Sequence, residues 1–420
     1  MPLELSYFYG HEAEQYSFYR IPKVLLTDRR YKGVSMEAKF MSDTDGRELP
    51  GLDTLPGLIL TLTALSGELP ASLISRLPAS DTYKEYAVKQ LKRDNLLRTF
   101  YRNGVRGLRL TPTSKKLLTA NWPDQFLPCL SGTTETNMLK SEVPRRLRLH
   151  RMAEVLVTMF NAGVSVLPWE KPNVFAPTPP DDTLTIDRPA YYSSREVKEL
   201  GEQAVKIRNS RSTGVLLTGN DIFIVYNTGP GQMKWEYKAE MRLKALLEMV
   251  LCQERIPAQF MCTKQSAIVF ATDMGQMASL MGVGGDKRHN YFVLDGGFEH
   301  FYYLTGDHHG EVILQLLCCP DEKALLDGVL SEGYDPPRPG WVVENDAIDG
   351  ETAVLFAYTC DMPRIRRFSA ALEKMGWPGT LYCFDFQGDA LRQVCGPDVN
   401  VRCIDFDVYE RSVFLSPESS

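Results

Sequence analysis

The sequence has no apolar run near the roughly 20 residues that a membrane-spanning helix needs. Its first residues also lack the charged and apolar regions of a secretory signal. We therefore expect a cytoplasmic protein without a membrane partner. The nine cysteines are an odd number and include no Cys-x-x-Cys pair, which favours buried thiols in a reducing compartment. Cys318 and Cys319 are neighbours on a predicted strand, so they would face opposite ways and make poor joint metal ligands.

Positive charge is concentrated in one segment of an acidic chain. The whole sequence has 47 Lys and Arg against 53 Asp and Glu, a net charge of −6. The segment from Ser80 to Leu118 has ten basic residues against three acidic ones, a net charge of +7. This asymmetry is typical of a nucleic-acid-binding module, because neutralising phosphates supplies most of the non-specific affinity.

The same segment has the pattern of a winged helix. Apolar residues at helical spacing and breaks at Gly67 and Pro70 predict two helices, and Ser80 or Asp81 can cap a third. Two alternating stretches surround Asn103-Gly104, a strong hairpin signal. The predicted elements are helices over 55–65, 71–77 and 81–94, strands over 97–102 and 105–110, and a closing helix from 112 to 118.

The third helix has two different faces. One side is predicted to pack through Tyr83, Ala87, Leu91 and Asn95, while a polar and basic stripe lies opposite. We expect this stripe to enter the major groove of double-stranded DNA, and the arginines of the wing to contact phosphates or the minor groove. The alternative is a protein-docking module with solvated charges. The predicted DNA-binding residues are Thr82, Tyr86, Lys89, Arg93, Arg98, Arg102, Arg106 and Arg109.

The rest of the chain alternates strands and helices. A second basic cluster, Arg145–Arg151, begins a helix that reaches Asn161. Further on, we predict a hairpin at Gly219-Asn220, a helix over 240–253, strands over 267–271, 291–294, 300–304 and 312–319, and a helix over 321–330. The last part predicts strands over 353–359, 380–386 and 399–406 separated by helices over 363–375 and 389–394, a pattern typical of parallel pairing.

These patterns predict an α+β multidomain protein. The predicted parts are an N-terminal extension over 1–50 that is partly disordered, a winged-helix domain over 51–122, a linker over 123–144, a mixed α/β domain over 145–345 and a C-terminal βαβαβ segment over 346–412. Whether that last segment is a small domain or the edge of the central sheet is open.

Two stretches resemble families of mobile genetic elements. Residues 18–39, from Phe18-Tyr-Arg-Ile-Pro to Glu37-Ala-Lys39, resemble the opening of the plasmid replication initiator A family. Residues from about 55 to 330 resemble the replication-relaxation family of plasmids and integrative conjugative elements. The resemblance implies an accessory or initiator factor in replication, conjugation or DNA relaxation, with a relaxase or replication proteins as partners. A winged-helix transcriptional regulator is an alternative, and a homodimer is open.

A metal-dependent nuclease is the enzymatic alternative. Asp221 at the start of a strand, followed by Glu236-Tyr237-Lys238, resembles the restriction-endonuclease-like order of an acid and then Glu-x-Lys. There, two carboxylates hold Mg²⁺ and the lysine polarises the phosphate. This chemistry requires Glu236 and Lys238 to lie on a strand beside Asp221. Glu236 could instead begin the following helix, where the helix dipole favours an acid. The mixed α/β domain would then be a degenerate nuclease fold or a different one, with no cofactor.

Three further motifs have simpler interpretations. Gly282–Lys287 lacks the preceding strand and the Gly-Lys-Ser/Thr ending of a phosphate-binding loop, so we predict a turn. His308 and His309 follow Asp307 between two predicted strands and are expected at a hairpin tip rather than at a metal. Asp385 and Asp389 follow a parallel strand, where α/β sheets place ligands, but Asp389 is also a natural helix N-cap.

Overall fold

A computed structural model describes residues 40–42, 48–178, 184–201, 209–282, 291, 292, 294 and 296–414. Across these residues the protein is a mixed α+β structure with several sheets. None of the helices described is long and apolar enough to cross a membrane. The stretch 18–39 and most of Gly282–Lys287 lie outside the described residues.

The N-terminal part combines short strands with helices. Two short paired strands come first and are followed by a helix, a short strand, a 3-10 turn over Ala71–Arg76, a second helix, a hairpin and a third helix. The short strand pairs with the second strand of the hairpin, and together they form a three-stranded sheet. The elements are β1 (Phe40–Ser42), β2 (Glu48–Pro50), α1 (Leu55–Ser66), β3 (Leu69–Pro70), α2 (Asp81–Arg93), β4 (Leu97–Arg102), β5 (Val105–Leu110) and α3 (Pro112–Asn121).

Local signals explain where these elements begin and turn. The side chains of Thr54, Ser80 and Thr111 accept hydrogen bonds from backbone N–H groups in the first turns of α1, α2 and α3. Asn103 and Gly104 both have positive φ, 50° and 77°, as a two-residue hairpin turn of this type requires. The predicted helices and the hairpin in this part are therefore confirmed, except that 71–76 is a 3-10 turn.

The segment predicted as a linker contains a helix, α4 (Pro123–Leu130). Phe126 and Leu130 on this helix are buried in the core, so this stretch packs instead of spanning open solvent. The prolines of this stretch predicted a linker, but Pro123 occupies the first helical position, where proline is tolerated. The basic cluster and the apolar stretch after it form one continuous helix, α5 (Val143–Asn161).

A five-stranded sheet follows, in the order β10-β9-β8-β7-β6. The strands β6, β7 and β8 are antiparallel, while β8, β9 and β10 are parallel. The predicted turn at Gly219-Asn220 is confirmed, since Leu217 pairs with Ile222 across it. The elements are β6 (Ala190–Ser193), α6 (Ser194–Val197), β7 (Gly214–Leu217), β8 (Ile222–Gly229), α7 (Tyr237–Leu247) with a π-helical extension to Arg255, α8 (Pro257–Phe260), β9 (Gln265–Ala271), α9 (Met277–Met281) and β10 (Phe301–Thr305).

The predicted strand over 312–319 is wrong, because this stretch is the helix α10 (His308–Cys318). The carboxylate of Asp307 caps the helix by accepting from the backbone N–H of Gly310 at 3.2 Å. His308 and His309 therefore begin a helix and are not a hairpin tip, and Cys318 ends the helix. The misassignment has a physical cause. Nearly every side chain from Val312 to Cys318 is buried, and a short apolar run that is buried on all sides shows no helical period.

The chain continues through α11 (Pro320–Leu330) into a four-stranded sheet in the order β11-β12-β13-β14. The predicted parallel pairing is confirmed for β12, β13 and β14. Asp389 lies inside a helix that begins at Asp385 and is not its N-cap. The elements are β11 (Ala347–Asp349), β12 (Thr352–Phe356), α12 (Met362–Met375), β13 (Gly379–Phe384), α13 (Asp385–Val394), β14 (Val399–Ile404) and α14 (Phe406–Phe414).

The parts of the molecule share their hydrophobic interior. One continuous cluster of buried side chains includes Leu58 of α1, Leu156 of α5, Ile268 of β9 and Tyr382 of β13. Helix α5 is central to it, since it contacts α1, β3 and β5 and also β8 and α10. The five-stranded sheet also contacts the segment between β12 and α12, because the backbone N–H of Tyr303 in β10 donates to the carbonyl of Cys360 at 3.0 Å.

The first turn of α10 is held to α14 by His308. Its Nε2 lies 2.6 Å from the Glu410 carboxylate and its Nδ1 3.5 Å from Glu311. The hydrogen bond with Glu311, followed by that with Glu410, raises the pKa of His308 to about 9 against the opposing effect of burial. The neighbouring His309 stacks on Phe386, with ring centroids 4.1 Å apart. Both histidines thus have packing roles at the start of this helix.

Replacing His308 with Ala should destabilise the protein more at pH 6 than at pH 9.5. A histidine whose pKa is raised on folding stabilises the folded state fully below its ordinary pKa of 6.5, and that contribution is lost as pH rises through about 9. Because the side chain is 59% exposed, we expect a loss below about 1 kcal/mol. Thermal melts of both proteins across this range measure it, and an equal deficit at both pH values would contradict it.

Candidate nucleic-acid interface

The stripe on α2 faces solvent. Thr82, Lys89 and Arg93 are exposed, and the ring of Tyr86 is 58% exposed. The opposite side of the helix packs inward, since Ala87 and Leu91 are fully buried. Lys89 pairs with Glu85 at 3.2 Å, but both side chains are more than 70% exposed, so this ion pair is weak. The four residues predicted on this stripe are therefore available to a ligand.

The hairpin presents different side chains on its two faces. Residues directly opposite each other on antiparallel strands point to the same face, and neighbours along a strand alternate. Tyr101 pairs with Arg106, whereas Arg98 pairs with Arg109. Arg106 and Tyr101 therefore share one face, and Arg98, Arg102 and Arg109 share the other. The four wing arginines that the sequence predicts as DNA contacts therefore do not share one face of the hairpin.

The face with Arg106 adjoins the stripe of α2. Burial, and after it the charge of Arg106, lower the pKa of Lys92 near the end of that helix. Lys92 lies one helical turn after Lys89, so it connects the two elements. Tyr101 pairs with Arg106 and is 68% exposed. The predicted DNA-binding residues of the hairpin were all arginines and did not include Tyr101, although alternation along the strand indicates that it shares a face with Arg106. We call these residues the helix–wing surface: Thr82, Tyr86, Lys89, Lys92, Arg93, Tyr101 and Arg106.

The opposite face of the hairpin turns toward α3 and α5. Arg102 donates from Nη1 to the hydroxyl of Ser141 at 2.8 Å. Burial, and after it the charge of Arg98, lower the pKa of Lys115 on α3. Arg98 and Arg102 remain exposed, but they do not lie on the helix–wing surface.

Arg109 is buried, which contradicts the prediction that it contacts DNA. Its Nε donates to Glu68 Oε2 at 2.7 Å, and its Nη2 donates to the carbonyl of Lys140 at 3.0 Å. Its guanidinium also lies over the ring of Phe100, 3.8 Å from the centroid. The charge of Arg109 is thus neutralised inside the protein, where phosphate cannot reach it.

Glu68 is the centre of a buried ionic cluster. Its carboxylate, which is fully buried, accepts from Arg109, from Arg146 Nε at 3.1 Å and from His150 Nε2 at 2.8 Å. Burial raises the pKa of Glu68, but the hydrogen bonds from His150, Arg146 and Arg109 outweigh it and lower that pKa from 4.5 to about 2. Gly107 makes room for the carboxylate, since a Cβ there would lie 2.3 Å from Oε1.

Arg146 links this cluster to the wing. Besides its hydrogen bonds to Glu68, its guanidinium donates to the carbonyls of Phe100, Arg102 and Val105 at 3.0–3.1 Å. These three carbonyls belong to both strands of the hairpin next to its turn. Because Arg146 lies on α5 and is fully buried, the wing is fixed to the helix that contacts the rest of the molecule.

The nuclease arrangement is not formed. Glu236 is the residue before α7, and Lys238 lies in the first turn of that helix, so neither lies on a strand beside Asp221. Trp235 explains the placement, because its buried ring packs against Tyr226 with centroids 4.9 Å apart and anchors the chain just before the helix. Asp221 precedes β8, and its backbone N–H donates to Thr218 Oγ1 at 3.0 Å.

Other candidate ligands are also accounted for by local contacts. Asp389 pairs with Arg392 at 2.8 Å, and Asp385 accepts from the backbone N–H of Phe386 at 2.8 Å. Among the described residues no group of three or more His, Cys, Asp or Glu side chains could hold a metal ion.

Comparison of the chain with protein-family models, with curated proteins and with solved structures gave no match. The assignment of a function therefore depends on the geometry of the residues described above.

Glu68→Gln should lower the free energy of unfolding by about 3–5 kcal/mol, because it leaves two buried guanidinium groups without their counter-charge. The matched control is Glu85→Gln, which removes an exposed carboxylate and should cost less than about 1 kcal/mol. Urea unfolding followed by circular dichroism measures both. Equal, small losses in the two variants would show that the cluster does not stabilise the fold.

Proposed function

We propose that this chain is a DNA-binding protein and that residues 55–121 form a winged helix. The observation that carries the proposal is the helix–wing surface: the polar and basic stripe of α2 is exposed, α2 contacts β4 of the hairpin, and the exposed Tyr101 and Arg106 share one face of that hairpin. The order of elements supports it, since α2 precedes a two-stranded hairpin that packs with β3. In this arrangement the stripe of α2 would dock in the major groove, whose width of about 12 Å admits a helix.

The side chains on this surface fit different parts of a duplex. Lys89, Lys92 and Arg106 supply charge for phosphates, whose neutralisation releases counterions and drives binding. Thr82 and Tyr86 lie nearer the start of the helix, where recognition helices contact base edges. Arg93 can serve either role, because a guanidinium binds phosphate or guanine through two parallel hydrogen bonds.

For the biological setting we propose the one implied by the resemblance of the sequence to families of mobile elements. We propose a cytoplasmic factor that binds near an origin of replication or transfer and acts with a relaxase or replication proteins. Binding rather than catalysis is proposed, because Asp221, Glu236 and Lys238 do not form the arrangement that metal-dependent cleavage requires. A transcriptional regulator would use the same surface, and the position of the bound site relative to a promoter distinguishes the two.

Replacing Lys89, Arg93 and Arg106 together with Ala should weaken binding to duplex DNA at least tenfold near physiological salt. Each lost phosphate contact should also make the slope of log K against log salt shallower by about 1. Fluorescence anisotropy with a labelled duplex at several salt concentrations measures both quantities.

The matched control replaces Arg98, Arg102 and Lys116 with Ala, which removes the same charge from exposed residues outside the helix–wing surface. We expect the control to retain most of the affinity. Equal losses in the two variants would show that binding follows net charge and not this surface. No affinity of the unaltered protein for any duplex would refute the proposed function itself.

A further inference from the structure

Two cysteines stand side by side in the C-terminal sheet. Cys383 of β13 pairs directly with Cys403 of β14. Paired residues on adjacent parallel strands project from the same face of a sheet, and such strands lie about 4.7–4.9 Å apart. That spacing is within the Cα separation of about 4.4–6.8 Å that a disulfide accepts. Both thiols are free, and the Cys383 thiol donates to the carbonyl of Arg402, the residue before Cys403, at 3.8 Å.

The helix packed over this pair contributes a positive charge. Arg392 of α13 donates from Nη2 to Cys403 Sγ at 3.4 Å and is oriented by Asp389, 2.8 Å from its Nη1. Gly388, one turn earlier, allows this approach, since a Cβ there would lie 2.7 Å from Cys403 Sγ. A guanidinium beside a sulfur favours the thiolate over the thiol.

The two sulfurs have unequal surroundings. Cys383 is fully buried, whereas Cys403 is partly exposed. The neighbouring Cys383 thiol and, after it, the charge of Arg392 lower the pKa of Cys403 against the opposing effect of burial. The neighbouring Cys403 sulfur, together with burial, raises the pKa of Cys383. An accessible thiolate next to a buried thiol is the arrangement of an attacking and a resolving cysteine.

We propose that Cys383 and Cys403 are an oxidation site at which a hydroperoxide converts the two thiols into an intramolecular disulfide. Cys403 releases its proton to solvent and attacks the peroxide as the thiolate, so that a sulfur–oxygen bond forms and the O–O bond breaks. The leaving oxygen takes up a proton from solvent in place of the one released and departs as alcohol or water. The product is a sulfenic acid. Cys383 then attacks that sulfur, the S–S bond forms, and the hydroxyl leaves with the Cys383 proton as water. The thiols supply the two electrons that reduce the peroxide.

The test exposes the full-length protein to stoichiometric hydrogen peroxide, then alkylates remaining thiols and maps disulfide-linked peptides by mass spectrometry. We expect two of the nine thiols to disappear together in a Cys383–Cys403 linkage. Cys403→Ser should abolish this reaction, and Cys383→Ser should stop at a sulfenic acid that dimedone traps on Cys403. Cys262→Ser, which removes an exposed cysteine, should leave the linkage unchanged.

The role of the arginine is tested by rate. Arg392→Gln should slow disulfide formation about five- to tenfold near neutral pH, because less Cys403 is ionised. Arg411→Gln, which neutralises an exposed arginine on α14, should not. Mapping the unaltered protein needs no substitution, so the proposal is decided even if a cysteine variant fails to fold. Oxidation of Cys262 ahead of Cys403, or a linkage between other cysteines, would overturn it.

Discussion

One buried carboxylate, that of Glu68, determines how the N-terminal part of this protein is assembled. Removing a carboxylate from water costs several kcal/mol unless hydrogen-bond donors replace the solvent, and Arg109, Arg146 and His150 do so from β5 and α5. Arg146 extends the same network to the carbonyls of the hairpin. These hydrogen bonds connect the wing to α5, and α5 contacts both the N-terminal helices and the larger sheet.

This cluster also changes the meaning of the local positive charge. The basic segment carries ten Lys and Arg, but Arg109 is neutralised by Glu68, and Lys84 is buried with its Nζ 2.6 Å from the carbonyl of Ser75. Part of the charge thus holds the fold together. The exposed positive charge that remains lies on α2, on α3 and on both faces of the hairpin, and Arg106 lies on a different face of the hairpin from Arg98 and Arg102.

The features that were predicted wrongly, or not predicted, all depend on how the helices and strands pack against one another. The period of a strand or helix reports which side of an element meets water, so α10, buried on nearly every side, gave no period to recognise. Asp221, Glu236 and Lys238 satisfied a spacing, yet the packing of Trp235 against Tyr226 put Glu236 at the start of a helix. The pairing of Cys383 with Cys403 depends on the register of two strands 20 residues apart, which spacing alone does not reveal.

What the sequence determined by itself is local. Caps at Ser80 and Thr111, the left-handed turn at Asn103-Gly104 and the alternation of β12–β14 with helices each depend on residues within one element or one crossover. Only the tertiary structure decided which arginine is buried, which face of the hairpin joins α2 and which thiols meet. These outcomes depend on partners distant in sequence, such as Glu68 and Arg146. Whether a charge is exposed or paired is a property of the packed surface and not of the residue.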